Sequence, residues 1–213
     1  DSRVGATGYT GSRSAGLKLK KAAEAAGKPI YLELSSVNPV VILPGALRER
    51  SEEIADEFTT SCLMGTGQFC TNPGLVLLVD DDKSRDFISS VSGKFSNAPV
   101  GTLLSKAVES SLQESLATLQ NAGAALLTGN LAGAGQGYGQ SNTLMAVSGD
   151  QFLNNPEAMQ TEAFGNSSLF VIADDVDQAC SVVEQFEGNL TGSVYSDSGG
   201  GDEDAYGRVA PRL

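Results

Sequence analysis

The sequence predicts an α/β fold, a three-layer domain built on a largely parallel, twisted sheet. Short apolar runs bounded by turn residues alternate along the 213 residues with segments whose apolar residues recur every three or four positions. The run Leu75–Val79 is apolar throughout, which is typical of a strand covered on both faces. A hydrophobic content of 40% is enough to fill the core of such a fold.

The elements of the first half follow from turn residues and helical spacing. A strand comes first, and Ser14 is placed as the N-cap of a helix that Gly27 ends. Pro44 breaks the third strand before a long helix, whose apolar residues fall four apart on one face. The predicted order is strand 3–10, helix 14–26, strands 30–34 and 39–43, helix 46–63, loop 65–74 and strand 75–79.

The second half continues the alternation. One helix carries Phe87, Val91 and Phe95 at every fourth position. A glycine-rich stretch, 129–141, has five glycines and no charge, and we interpret it as a surface connection in preference to a substrate-facing loop. The further predicted elements are helix 103–121, strands 124–128, 144–148 and 169–172, helix 176–186 and strand 191–195. The polar segment 198–204 is expected to be weakly ordered, and the chain is expected to be truncated.

Charge and composition exclude several classes of partner. A formal charge of −12 repels nucleic acid and anionic membranes, and Lys18, Lys20 and Lys21 form a solvated helical face. The sequence has no run of 18 or more apolar residues and no signal peptide pattern, so a cytoplasmic location is expected. Three cysteines without a Cys-x-x-Cys pair favour a reducing compartment.

The absence of histidine restricts the chemistry further. It excludes Ser/His and Cys/His dyads and every zinc site that contains histidine, and we expect no metal site. Any general base must therefore be a carboxylate, a lysine or a tyrosine.

The three cysteines lie in different surroundings. Cys62 and Cys180 fall on apolar helical faces and are most simply small core residues. Cys70 instead lies in the loop 65–74, which is rich in Gly, Thr and Asn, where backbone N–H groups can approach a developing anion. Spacing alone leaves two interpretations open for Cys70, a nucleophile or a residue chosen for tight packing.

Four segments resemble motifs of the aldehyde dehydrogenase family, in the order in which the family has them. Gly-Gln-Phe-Cys at 67–70 resembles Gly-Gln-x-Cys, and the segment 33–39 resembles Glu-Leu-Gly-Gly-x-x-Pro. Tyr-Thr-Gly-Ser at 9–12 is similar to a Phe-Thr-Gly-Ser cofactor turn, and Glu-Ala-Phe-Gly at 162–165 is similar to Glu-x-Phe-Gly. The amino-acid sequences at 36–39 and 68–74 are most similar to those of one branch of the family. This branch contains the 2,5-dioxovalerate (α-ketoglutaric semialdehyde) dehydrogenases and the NADP-dependent fatty aldehyde dehydrogenases.

The resemblance implies an aldehyde dehydrogenase-like fold and a role for each matched residue. Cys70 would be the acylating nucleophile, Glu33 the carboxylate that activates water, and Asn38 a supporting residue. Without the resemblance, the simpler interpretation is that Glu33 is a salt-bridged residue of a strand and that Asn38, which precedes a proline, begins a turn.

The same resemblance implies a site for NADP or NAD. Gly11 and Ser12 would approach the cofactor phosphates, Glu162 a ribose hydroxyl and Phe164 the nicotinamide side. The simpler interpretation of the last two is an N-terminal helix charge and a core aromatic.

The family pattern also has departures in this chain. Ser35 and Ser36 replace the commoner Gly-Gly, and Asn166 stands where many members have proline, a change expected to loosen the loop after Glu162. By the resemblance, residues 1–30 are the C-terminal remnant of a nucleotide-binding domain, and 31–213 are a catalytic domain truncated at its C-terminal end.

The predicted function is oxidation of an aldehyde, 2,5-dioxovalerate or a similar semialdehyde, to a carboxylate with NAD(P)+ through a cysteine thioester. The isolated chain is expected to be poorly active and the parent enzyme to be a homo-oligomer. Two alternatives remain open: a catalytically silent α/β scaffold or association domain, and a cofactor-independent thiol esterase that uses the same cysteine.

Overall fold

The structure is a computed structural model that describes residues 1–213. The chain divides into two compact units, Asp1–Ser36 and Val37–Leu213. The assignment of residues 1–30 to a nucleotide-binding domain and of 31–213 to a catalytic domain stays a prediction.

The first unit is one strand-helix-strand motif. It consists of β1 (Thr7–Thr10), α1 (Arg13–Ala25) and β2 (Ile30–Glu33), and the two strands pair in parallel. A side chain at Gly16 of α1 would overlap Leu34, so this glycine lets the helix lie close to the end of β2. The predicted N-cap at Ser14 is wrong by two residues: Ser12 already has extended backbone angles and α1 begins directly after it.

The second unit contains a six-stranded sheet in the order β5-β6-β7-β4-β3-β8. All neighbouring strands are parallel except β5 and β6, which are antiparallel. The largely parallel sheet is therefore confirmed. The strands are β3 (Val40–Ile42), β4 (Leu75–Val79), β5 (Ala125–Thr128), β6 (Thr143–Ser148), β7 (Ser167–Ala173) and β8 (Ser193–Tyr195).

Helices cover both faces of this sheet. Successive side chains of a strand point to opposite faces, and Val76 and Leu78 accordingly join one buried cluster while Leu75 and Leu77 join another. The first cluster packs against α2 (Pro44–Leu63) and α3 (Asp82–Asn97). The second packs against α4 (Lys106–Asn121), α5 (Gly149–Asn154), α6 (Pro156–Met159), α7 (Val176–Val183) and α8 (Glu203–Val209). This arrangement confirms the three layers.

Two parts of the second unit differ from the prediction. The short helices α5 and α6 were not expected, although Ser148 and Gln151 form a capping box at the start of α5. The polar segment 198–204 was predicted to be weakly ordered, and that prediction was wrong: it forms a turn whose N–H groups bind the Asp197 carboxylate, and it leads into α8. The carboxylate of Asp202 is buried there and accepts hydrogen bonds from the N–H groups of Gly45 and Ala46, at 2.8 and 3.0 Å.

None of the helices combines the length and the apolar composition that a membrane crossing requires.

Candidate active site

Cys70 lies on the loop that joins α2 to β4, after a short 3-10 helix at Met64–Gly67. It is the exposed member of the three free cysteines, whereas Cys62 and Cys180 are buried, as their positions on apolar helical faces predicted. Burial raises the pKa of the Cys62 thiol to about 12, so that thiol stays protonated and unreactive near neutral pH. Cys70 is thus the accessible thiol of this chain.

The backbone before Cys70 turns through three left-handed residues. Gly65, Thr66 and Gly67 have φ angles of 55°, 60° and 67°. A side chain at Gly67 would overlap the carbonyl oxygen of Gly165, so this position needs glycine both for its φ angle and for the close approach. The Cys70 loop therefore lies directly against the Glu-Ala-Phe-Gly segment 162–165.

Asn38 connects the loop to the start of β3. Its side chain is buried, and its amide nitrogen Nδ2 donates to the carbonyl oxygens of Cys70 and Asn72, both at 2.9 Å. Asn38 is itself held by Asn189, whose Oδ1 accepts from the Asn38 backbone N–H at 3.2 Å, and by the Thr191 hydroxyl, 3.2 Å from Asn38 Oδ1. The predicted supporting residue is thus in contact with the backbone of Cys70.

Gln68 holds the other side of the loop. Its Nε2 donates to the carbonyl oxygens of Gly65, at 3.0 Å, and Thr102, at 3.3 Å. Its Oε1 accepts from the N–H of Leu104 at 2.7 Å. The side chains of the next two residues, Phe69 and Cys70, are exposed.

The segment 162–165 lies between α6 and β7, beside the Cys70 loop. Glu162 and Phe164 are half-buried. Asn72 Nδ2 donates to the carbonyl oxygen of Gly165 at 3.4 Å, which adds to the contact at Gly67. The second unit therefore brings Cys70 and Asn38 together with the segment that carries Glu162 and Phe164.

The first unit brings together the other predicted residues. Glu33 ends β2 opposite Thr10, and its carbonyl oxygen accepts from the N–H of Gly11 at 3.1 Å. Ser12 caps α1 without a side-chain hydrogen bond, and the first turn of α1 has no acidic residue. A serine N-cap that makes no capping hydrogen bond and a first turn without an acidic residue are compatible with a phosphate group at the start of this helix.

Sequence reasoning missed several supporting residues. Asn189 and Thr191 lie more than 150 residues from Asn38, and no local pattern marks such a contact. The expectation that Asn166 loosens its loop was wrong. Its side chain is buried, and Nδ2 donates to the carbonyl oxygen of Gln140 and to Oδ1 of Asn142, both at 2.8 Å.

Fold and site together define a class: an α/β protein with an exposed cysteine on a backbone-anchored loop and a parallel strand-helix-strand unit suited to a phosphate. Comparison with known families makes the class specific. The model of the aldehyde dehydrogenase family matches residues 1–209. The chain belongs to this family, and the resemblance inferred from the four motifs is confirmed.

Two curated relatives are α-ketoglutaric semialdehyde dehydrogenases, the branch that the motifs resemble. The chain is 36% identical over 197 residues to α-ketoglutaric semialdehyde dehydrogenase 2 of Azospirillum brasilense, which covers 92% of this chain and 37% of that protein. It is 30% identical to the α-ketoglutaric semialdehyde dehydrogenase of Acinetobacter baylyi, with 91% of this chain and 37% of that protein covered. The chain thus spans little more than a third of the length of these two relatives.

Solved structures show the same fold. Betaine aldehyde dehydrogenase from Staphylococcus aureus, in complex with NAD+, superposes with a TM-score of 0.81 at 19% identity, covering 99% of this chain and 42% of that one. An aldehyde dehydrogenase from Bartonella henselae superposes with a TM-score of 0.79 at 21% identity, covering 99% and 44%.

Proposed function

We propose that this chain carries the nucleophile, the general base and part of the cofactor site of an NAD(P)+-dependent aldehyde dehydrogenase. One observation carries the proposal: the exposed Cys70 lies on a loop that Asn38 fixes from one side and that abuts Gly165 from the other. The accessible thiol of this chain therefore lies on the loop that contacts the segment bearing Glu162 and Phe164, which supports its assignment as the nucleophile.

In the first step, the Cys70 thiolate attacks the carbonyl carbon of the aldehyde. A carbon–sulfur bond forms, and the carbonyl electron pair moves to oxygen, which gives a thiohemiacetal oxyanion. We assign the backbone N–H of Cys70 as one donor to this oxyanion. Because Asn38 holds the Cys70 carbonyl group, the backbone around this N–H is kept in place.

Four residues would hold the cofactor. Gly11 and Ser12, at the start of α1, are assigned to its phosphates, Glu162 to a ribose hydroxyl and Phe164 to the nicotinamide side. When bound, the nicotinamide accepts a hydride from the thiohemiacetal carbon, and a thioester remains on Cys70.

In the last step, Glu33 removes a proton from water, and the resulting hydroxide hydrolyses the thioester to a carboxylate and the free thiol. A carboxylate base suits a sequence that has no histidine. Glu33 is half-buried at the end of β2, next to the turn assigned to the cofactor.

The proposed substrate is 2,5-dioxovalerate or a similar semialdehyde, with NADP or NAD as cofactor. The names of the two curated relatives support this substrate class. We further propose that the whole enzyme is a homo-oligomer in the cytoplasm, where the three free cysteines stay reduced. This chain alone is expected to be poorly active, because its first unit offers the cofactor a single strand-helix-strand motif.

Thiol labelling tests the proposal most directly. The folded chain is treated with iodoacetamide near neutral pH, and mass spectrometry compares modification of Cys70 with that of the buried Cys62 and Cys180, which serve as controls within the same molecule. We expect Cys70 to be modified first. Equal modification of all three, or none at Cys70, would favour the scaffold alternative instead.

A further inference from the structure

Asn166 joins two parts of the second unit that are far apart in sequence. It follows the segment 162–165, is 1% exposed, and donates from Nδ2 to the Gln140 carbonyl oxygen and to Asn142 Oδ1. Asn142 is buried as well, and its own Nδ2 donates to the carbonyl oxygens of Phe95 and Ala98, both at 3.1 Å. Asn166 is therefore tied through Asn142 to the end of α3.

The other partner of Asn166 is equally well held. Gly139 and Gln140 form the buried end of the glycine-rich stretch 129–141. The Glu109 carboxylate, buried on α4 and paired with Lys106, accepts from the N–H of Gly139 at 3.0 Å. The backbone that receives the Asn166 amide is thus fixed by α4.

On its opposite side, Asn166 adjoins the contact between Gly165 and the Cys70 loop. The Gly165 carbonyl group fills the space where Gly67 would carry a side chain and accepts from Asn72 Nδ2. Gly67 and Asn72 bracket Cys70 in the sequence. A shift of the Gly165 peptide therefore reaches the nucleophile loop at both ends.

We infer that Asn166 is a positioning residue: its buried amide fixes the Gly165 peptide and thereby sets where the segment bearing Glu162 and Phe164 lies relative to Cys70. The catalytic meaning of this inference rests on the proposed function.

Hydrogen exchange of backbone amides, followed by mass spectrometry, tests the inference without any cofactor. The variant is Asn166→Ala and the matched control is Asn121→Ala, at an exposed position at the end of α4. Loss of two buried hydrogen bonds should accelerate exchange about ten-fold in peptides covering 140–143 and 165–167. The inference requires that exchange in peptides covering 67–72 accelerates by a comparable factor, while exchange in β4 stays unchanged.

Each result decides the question. If 140–143 and 165–167 accelerate while 67–72 does not, Asn166 is only a local structural residue and the inference is overturned; no acceleration anywhere overturns it too. If Asn166→Ala opens the whole unit, so that Cys62 and Cys180 also become reactive to iodoacetamide, Asn166→Ser decides instead. It keeps one donor, so exchange at 67–72 should rise by a smaller factor, about three-fold, and an unchanged rate overturns the inference.

The proposed function fails separately, through the labelling of Cys70. The change in the exchange rate of peptides covering 67–72 is measured independently of whether Cys70 is the thiol that iodoacetamide modifies first.

Discussion

Asn38 uses both hydrogens of its side-chain amide on the loop that carries Cys70. The two acceptors, the carbonyl oxygens of Cys70 and Asn72, lie on either side of a turn that no regular element stabilises. At the scale of single residues, the proposed nucleophile Cys70 is thus held by its backbone, and its side chain stays exposed.

Substitution Asn38→Ala should weaken this placement. The two carbonyl groups would lose their donor, which should lower the free energy of unfolding by about 2 kcal/mol and change the rate at which iodoacetamide modifies Cys70. Chemical denaturation and labelling by mass spectrometry measure the two effects, with Asn121→Ala as the control. An unchanged labelling rate would show that Asn38 supports the fold without positioning the thiol.

The buried thiol of Cys62 should make the stability of the folded protein depend on pH. Burial raises the pKa of its thiol to about 12 in the folded protein, whereas in the unfolded chain it titrates near its ordinary value of about 8.5. Between these values the unfolded state binds fewer protons than the folded state, so the stabilisation, complete below pH 8, is lost as the pH rises.

The comparison of wild type with Cys62→Ala isolates this contribution. The difference between their unfolding free energies should be constant below pH 8 and should shift by about 2 kcal/mol against the wild type by pH 10. Denaturant titrations at several pH values measure it. A constant difference up to pH 10 would mean that Cys62 ionises as easily in the folded protein as in the unfolded chain.

At the scale of elements, α2 is capped by a residue from the far end of the chain. Its N-cap, Leu43, has no side-chain acceptor, and the first N–H groups of the helix bind the Asp202 carboxylate instead. Asp202 also accepts from the N–H of Asp197, so one carboxylate fixes both the start of α2 and the turn before α8.

Substitution Asp202→Ala should therefore cost about 2 kcal/mol of unfolding free energy, as expected for a lost helix cap with buried donors left behind. Asp204→Ala, at an exposed position in the first turn of α8, is the matched control and should change stability little. Urea denaturation of both variants checks the prediction. Equal stability of the two variants would contradict it.

Elements that are fixed by interactions within their own segment could be predicted from the sequence, whereas elements fixed by contacts between distant residues could not. The continuous apolar run of β4 and the apolar periodicity of α3 and α4 lie within their own segments, so the local sequence was enough to locate them. α8 was missed because its order depends on a contact between Asp202 and Gly45, 157 residues apart. The short helices α5 and α6 offered too few turns for a periodic pattern.

The same distinction between local patterns and long-range contacts applies to the residues of the candidate site. The positions of Cys70, Glu33 and the segment 162–165 were given by motifs, which are local. The groups that hold them were not, because the Asn166 amide binds residues 24 and 26 positions away and Asn189 binds Asn38 across 151 positions. A polar side chain in a loop carries no local mark of such a partner.

At the scale of the whole molecule, the proposed half-reactions are assigned to different units. Cys70, the group proposed to become acylated, belongs to the second unit, and Glu33, the group proposed to activate water for deacylation, belongs to the first. Substitutions in the two units should therefore separate acylation from hydrolysis.

A small activated ester such as p-nitrophenyl acetate tests this separation without cofactor, since thiolate attack releases nitrophenolate and leaves an acetyl thioester on Cys70. Wild type should show slow turnover, and Cys70→Ala should show neither a burst of nitrophenolate nor an acetyl adduct by intact mass. Glu33→Gln should retain the burst but accumulate the adduct, with hydrolysis slowed by a factor of about 10² or more. Glu24→Gln, at an exposed position on α1, should behave as wild type. If Glu33→Gln turns over like Glu24→Gln, Glu33 is not the base. If wild type releases no more nitrophenolate than Cys70→Ala and Glu33→Gln forms no adduct, a catalytically silent scaffold is favoured.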